Sequence, residues 1–512
     1  MTGQSQGAAT PASLVVVVTS PEPAACEQRV LQRLQGSGVC RVVVRDVDAM
    51  GDPASSDAAY ALARVLPAKA AVTAIVDLSG RLDTDWNRFA AEGVWQLRDV
   101  RGLPLGAPHH GLATLANAEG IRLHLVAWTS TLATLVDTAS GFAEPREPVS
   151  PERLARLASA LVVGALCEIR ALGSLAARPP WQVAPHPPTA WERLAWRLRA
   201  LAVHAGLQLK GFLLVEQWMV GVVDMPFCDA VRARRLPVHW LGERETSRCW
   251  ADPFGNPGRP DEIYCEEVDL RSGLGRIVSM KLDELDQPTG TEPVDLGLTG
   301  HQSFPYLFRH DGALYCVAES SESRRCVLNR QDADGQWQQV CVLLEDMPVV
   351  DPTVFVHEGR FWLAYTDVSM GQFDNLCLCH ADNLLGPWRP HPQNPVKFDH
   401  WSARAAGSVV RDGDRLLRVA QVCRSGYGQA VAVNRIVACT PEYYREEVIG
   451  VVSPAGDRVN PDGLHTMSAW GDRVLVDGKR HVLNADVLWH RVKARLARAM
   501  GGRLVKLRRR SA

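Results

Sequence analysis

The feature that most limits what this chain can fold into is a phrase that recurs about every fifty residues between Ala251 and Trp470. It first reads Ala251-Asp252-Pro253-Phe254, followed by Glu262-Ile263-Tyr264-Cys265-Glu266-Glu267. It returns as Ser303-Phe304-Pro305-Tyr306 before Asp311-Gly312 and Tyr315-Cys316-Val317-Ala318-Glu319, and again as Val350-Asp351-Pro352-Thr353 before Glu358-Gly359 and Phe361-Trp362-Leu363. Two worn copies follow, Arg404-Ala405-Ala406-Gly407 before Asp412-Gly413, and Leu464-His465-Thr466-Met467 before Gly471-Asp472. Each copy is an apolar strand, a tight turn and a second strand rich in aromatic and β-branched residues. Strands at this period predict propeller blades, and five copies predict five blades.

A propeller brings the first strand of every blade to one central channel, so the strand starts Asp252, Ser303, Asp351, Arg404 and His465 are expected to converge. Glu267 and Glu319, ending second strands, add two carboxylates. Proline after Asp252 and Asp351 removes a backbone donor and fixes the chain's entry angle; the plainer reading is that Asp-Pro only starts a turn.

The chain has 512 residues and a net charge of −1, which allows more than one core and gives no reason to expect a nucleic-acid partner. Its thirteen cysteines show no CxxC pair and no zinc spacing, so neither metal nor cofactor is expected. Residues 1–12 lack a targeting pattern and read as disordered, and reduced thiols point to the cytoplasm. No apolar run approaches the roughly 20 residues that cross a bilayer.

Residues 13–142 alternate strands (Leu14–Thr19, Val42–Val44, Ala74–Gly80) with helical stretches near Glu27–Gln35 and Ala59–Leu66. This predicts a Rossmann-like, mostly parallel α/β sheet with a crevice near Asp77–Gly80. The element order, the Asp77-Leu78-Ser79-Gly80 turn and Gly93-Val94-Trp95-Gln96-Leu97 resemble the amino-terminal half of a formyltransferase. That family's catalytic His phrase is replaced here by Arg98-Asp99-Val100-Arg101-Gly102, with His109 and His110 nearby, so the resemblance implies a degenerate domain. Residues 143–211 form a helical connector: Ser150-Pro151-Glu152 starts one helix, and Trp191 to Leu209 offers a second amphipathic helix expected to brace the two domains.

Residues 212–484 resemble the propeller domain of plant glucosamine inositolphosphorylceramide transferases, itself similar to glycoside hydrolase family 43. The resemblance rests on Gln217-Trp218, Ala251-Asp252-Pro253-Phe254, Ser303-Phe304-Pro305-Tyr306, Val350-Asp351-Pro352-Thr353, Gly386-Pro387-Trp388 with His391-Pro392, and Gln421 with Tyr427-Gly428-Gln429. The fold class this implies is multidomain, α/β plus all-β: a formyltransferase-type domain followed by a five-bladed β-propeller. It implies Asp252 as base and Asp351 as the carboxylate that tunes pKa; the family's Glu-Gly-Pro acid falls on Arg404-Ala405-Ala406-Gly407, leaving Glu319 or Glu267 as acid. An inverting pair needs its carboxyl groups roughly 6.5–9.5 Å apart. Arg404, His301, His391, Gln421 and Tyr427 are the expected binders of a sugar or nucleotide sugar, Arg404 as an anion clamp. In the alternative reading Arg404 only pairs with Asp351 and His391 only caps a loop.

From Trp489 to Arg510 nine Lys/Arg and no acid accompany leucines at helical spacing, so residues 485–512 read as a basic amphipathic tail for an anionic inner-membrane surface. The function expected is a carbohydrate-active protein of envelope polysaccharide or glycolipid biosynthesis, transferring or hydrolysing at a glycosidic bond. The alternatives are a glycan-binding scaffold for a partner glycosyltransferase, and formyl or acyl transfer to an amino sugar.

Overall fold

The structure, a computed structural model, describes residues 13–51, 53–55, 71–105, 120–130, 132–142, 150–424 and 426–493. The expected disorder of 1–12, the helix near Ala59–Leu66, His109, His110 and the tail beyond 493 lie outside them. The chain divides into two compact units.

The first unit is built on a six-stranded sheet in the order Cys40–Asp46, Ser13–Thr19, Ala74–Asp77, Val94–Asp99, Ile121–Trp128, Ala133–Gly141. The first four strands are parallel and the last two antiparallel. Val15 to Val18 are buried without alternation, as a strand covered on both faces requires. Helix Pro151–Leu172 begins as its sequence predicts: Ser150 caps Arg153 N–H, proline takes the first turn, and Gly173 ends it in the left-handed region. It packs on helix Ala25–Gly36, where Glu152 meets Arg29 (2.7 Å) and Arg33 (2.5 Å). The second connector helix, Ala190–Leu213, buries none of its residues, and Trp191 is 80% exposed.

The second unit contains five antiparallel blades. Blades 1 and 2 run Arg248–Gly255 to Pro288–Pro293 and Ser303–His310 to Trp337–Glu345. Blade 3 starts at Val349–His357 and blade 4 at Ala405–Asp412. Blade 5 joins Met467–Trp470 and Arg473–Leu483 to Leu214–Val223 and Val238–Trp240, so a strand from before the first repeat closes the ring. The five innermost strands touch in circular order. The hairpin signals fold as written: Asp311-Gly312 (φ 47° and 76°) and Glu358-Gly359 (φ 50° and 73°) both take the left-handed pair of a type I′ turn.

In blade 4 the inner strand meets blade 5 through Gly407 opposite Met467. Gly407 has φ 134°, and a Cβ there would lie 2.0 Å from the Met467 carbonyl oxygen. Gly407→Ala is therefore expected to lower unfolding stability by at least about 2 kcal/mol, read by urea denaturation. An unchanged midpoint would contradict this blade-to-blade approach.

Candidate functional site

Strand pairing slips just past Ala251, Ser303 and Val350. The next residue in each blade, Asp252, Phe304 and Asp351, takes φ 50°, 48° and 49° ahead of a proline. Left-handed non-glycine residues cost on the order of 1–3 kcal/mol each, and the same strain in three blades marks a built feature. Phe304, not Ser303, is thus the blade 2 counterpart of the two aspartates, and its ring stacks edge-on against Phe254 at 4.8 Å.

Across these bulges Ala251 pairs with Glu266 and Ser303 with Glu319. The equivalent second-strand acids are therefore Glu266 and Glu319. Glu267, one residue further, belongs to the opposite strand face and is held by Arg248 (3.1 Å) and Arg276 (2.8 Å). It is removed from the candidate acids, and Glu266 takes its place.

Asp252 is 3% exposed and lies at an ion-paired corner. Its Oδ1 accepts from Thr466 Oγ1 at 2.6 Å and faces His465 Nε2 at 3.2 Å, while its N–H donates to Asp477 Oδ2 at 3.0 Å. Asp477 also faces His465 Nδ1 at 2.8 Å and accepts from the backbone of His465 and Thr466. Carboxylates stand close to both ring nitrogens, and although Nδ1 makes no well-aligned hydrogen bond, the two negative charges favour the protonated ring. Burial opposes that charge, but Asp477 and Asp252 outweigh it and push His465 up to about 10. Burial would raise Asp252 too, yet His465, Thr466 and Arg404 hold it below the ordinary carboxylate value. The donor atoms of Asp252, His465 and Asp477 lie within 4.8 Å of one another, a span a metal ion can bridge.

Asp351, 1% exposed, forms the second corner. Arg404 reaches it through Nε and through Nη2 (3.2 Å), and Gln421 Nε2 donates to the same carboxylate at 2.9 Å. Arg404 Nη1 donates to the Gln372 carbonyl at 3.1 Å, and its guanidinium lies over the Tyr427 and Phe373 rings. The fork expected to clamp a substrate anion is spent on Asp351. Glu319 accepts from Asp351 N–H at 3.3 Å, and burial followed by the Asp351 charge pushes it up to about 8, with Arg404 opposing. Burial, Asp252 and Glu319 carry Glu266 well above its ordinary value. Glu319 and Glu266 thus favour the protonated form while Asp252 favours the ionised one.

His301 accepts the Gly275 N–H at Nδ1 (3.0 Å), so Nε2 holds the proton that points at Glu266 (3.2 Å). Burial keeps it below its usual pKa. Tyr427 stands half-buried against His465 (5.0 Å) and Trp218 (6.0 Å). The buried Oε1 of Gln421 has no hydrogen-bond partner among the described residues. His391 is elsewhere: it belongs to the first unit, is 2% exposed, and uses its two nitrogens on Gln393 N–H (3.1 Å) and the Thr440 carbonyl (3.0 Å). It is a loop anchor and not a sugar ligand.

The crevice expected at Asp77–Gly80 is likewise closed in its chemistry. Asp77 accepts from Ser79 Oγ (2.6 Å), Gly80 N–H (2.9 Å), Leu82 N–H (3.2 Å) and Gln96 Nε2 (2.8 Å), so its lone pairs serve the turn. Formyl transfer finds no support in these residues.

The family described as "Glucosamine inositolphosphorylceramide transferase 1, N-terminal" matches residues 289–461, inside the repeat region and clear of the α/β sheet. The glucosamine inositolphosphorylceramide transferase 1 of Arabidopsis thaliana is 32% identical over 264 residues, 47% of this chain and 33% of its own; that of Oryza sativa subsp. japonica is 28% identical over 170 residues, 32% and 23%. The chain spans a third or less of these relatives' length. Among solved structures, a family 117 glycoside hydrolase of Zobellia galactanivorans aligns with TM-score 0.34 at 13% identity, covering 54% of this chain and 92% of its own. A thermostable family 43 glycoside hydrolase aligns with TM-score 0.31 at 15% identity, covering 43% and 82%. The plant relatives are similar to this chain over less than half of its length.

Proposed function

We propose that the propeller centre acts on a glycosidic or nucleotide-sugar bond, in the assembly of an envelope polysaccharide or glycolipid. One observation carries this reading: within one buried cluster Asp252 is held ionised while Glu319 is pushed up to about 8. Carboxyls whose environments drive their pKa values apart divide the roles of base and acid. Asp252 is the base or activating group and Glu319 the acid, with Glu266 a second protonated carboxyl beside them. Asp351 tunes Glu319 through its charge and binds no substrate itself. His301, Tyr427 and the free Gln421 oxygen offer polar contacts to a sugar. The names of the plant relatives support glycosyl transfer over hydrolysis.

A second reading, a glycan-binding scaffold for a partner glycosyltransferase, draws on the ion pairs that occupy Asp351 and Asp252. A thermal-shift panel of nucleotide sugars, furanosides and sugar acids tests the shared premise. At 100 times its dissociation constant a ligand adds roughly 2.7 kcal/mol. Asp252→Asn is expected to weaken the response at least about tenfold in apparent affinity, the loss of one charge-assisted hydrogen bond. No response from any sugar would remove the site.

A further inference from the structure

We propose that helix Ala190–Leu213 docks on an anionic phospholipid surface, lying in the plane of the headgroups. Trp191, Leu194, Leu198, Leu201 and Leu209 are exposed by 80, 47, 59, 66 and 59%, although the helix is long and well formed. At 3.6 residues per turn these five side chains fall within an arc of roughly 80°. A stripe this coherent, left open to water along 24 residues, is an interface without its partner.

The rest of the helix shows which side is committed. Thr189 and Glu192 cap each other reciprocally at the N-terminus, through Thr189 N–H to Glu192 (2.8 Å) and Glu192 N–H to Thr189 Oγ1 (3.2 Å). Glu192 also pairs with Arg101 at 3.2 Å, and the Arg101 guanidinium covers Trp196 at 5.0 Å. At the other end Arg491 donates to the carbonyls of Gly211, Phe212 and Leu214. The helix is therefore anchored at both ends, while the leucine stripe points away from the side that holds Trp196.

Charge selects the partner. Glu192 is the single acid of the helix and is already paired, against Arg193, Arg197, Arg199 and Lys210. Arg491 adds a positive charge at the C-terminal end of this helix, and the sequence of residues 494–512 holds seven more Lys/Arg with no acid. One sign of charge flanking a leucine stripe opposes self-association through this face and suits anionic headgroups, with Trp191 at the boundary as an amphipathic ring. No helix among the described residues is long and apolar enough to cross a membrane, which leaves an in-plane contact.

The test is sedimentation of the full chain with vesicles of phosphatidylcholine alone or with phosphatidylserine added, at low and high salt. Binding to the anionic vesicles, weakened by salt, is expected. Leu194→Glu/Leu198→Glu is expected to cut that binding at least about tenfold with melting temperature unchanged, since both positions are exposed. Two results would overturn the proposal. One is wild-type binding by that variant, with loss only on Arg508→Glu/Arg509→Glu/Arg510→Glu, which assigns the attraction to the tail. The other is no vesicle binding, whether or not a dimer or protein complex disrupted by the same leucine substitutions is found.

Discussion

Arg404→Met is expected to lower the unfolding free energy by about 3–5 kcal/mol, the cost of leaving a buried carboxylate without its counter-ion. Arg404 and Asp351 are 7% and 1% exposed and meet through two nitrogens. Removing the guanidinium abandons the Asp351 charge beside Glu319, which already resists ionisation. Arg404→Lys recovers little, because one ammonium cannot replace the fork that also reaches Gln372. Arg404→Met/Asp351→Asn is expected to regain a large part of the loss, since both charges leave together. Urea titrations of the three variants decide it. Equal stability of Arg404→Met and wild type would mean that Asp351 is not held as described.

Stability is also expected to fall steadily from about pH 5 to about pH 10, with two separable contributions. Glu319 is raised from the ordinary carboxylate value to about 8, so the folded state binds its proton more tightly than the unfolded chain. Stability therefore declines as pH climbs from roughly 4.5 to 8. His465 is raised to about 10 between Asp252 and Asp477, so its contribution is full below roughly 6.5 and lost as pH rises through 10. Each effect is on the order of 3–5 kcal/mol at most. Glu319→Gln should flatten the lower part of the curve and leave the upper part. His465→Gln should do the reverse, at a large cost in overall stability. A curve that rises between pH 5 and 8 would contradict the protonated state of Glu319.

The repeat made the propeller legible because its signals are local: Asp-Gly and Glu-Gly turns with positive φ, and strands of the right period. Asp252, Asp351 and Arg404 could be placed at one centre for the same reason, whereas Tyr427 came only with the family resemblance. Glu266 could not be told from Glu267 without the register, since a bulge shifts which of two neighbouring acids faces inward. Sequence spacing misleads here, since the interval from Phe304 to Glu319, laid off from Asp252, ends on Glu267 and not on Glu266. Asp477 and Thr466 sit in the strand pair that closes the ring, where the repeat is most worn, and nothing local announces their contacts with Asp252. His391 misled because a His-Pro phrase looks the same whether it binds ligand or anchors a loop. The leucine face of helix Ala190–Leu213 has the pattern of a core helix, and periodicity does not say whether a core is there to meet it.

The central claim, that Asp252 and Glu319 work as base and acid on a sugar, is tested most directly by turnover. Wild type, Asp252→Asn and Glu319→Gln would be incubated with the sugar that stabilises the wild type, and release of free sugar or nucleotide followed across pH. The account predicts wild-type turnover that falls away above about pH 8 as Glu319 loses its proton, and losses of at least about a hundredfold in kcat in both variants with the ligand still bound by Glu319→Gln. Turnover undiminished in Glu319→Gln, or binding by the wild type with no turnover at any pH, would contradict it and leave the propeller a glycan-binding module.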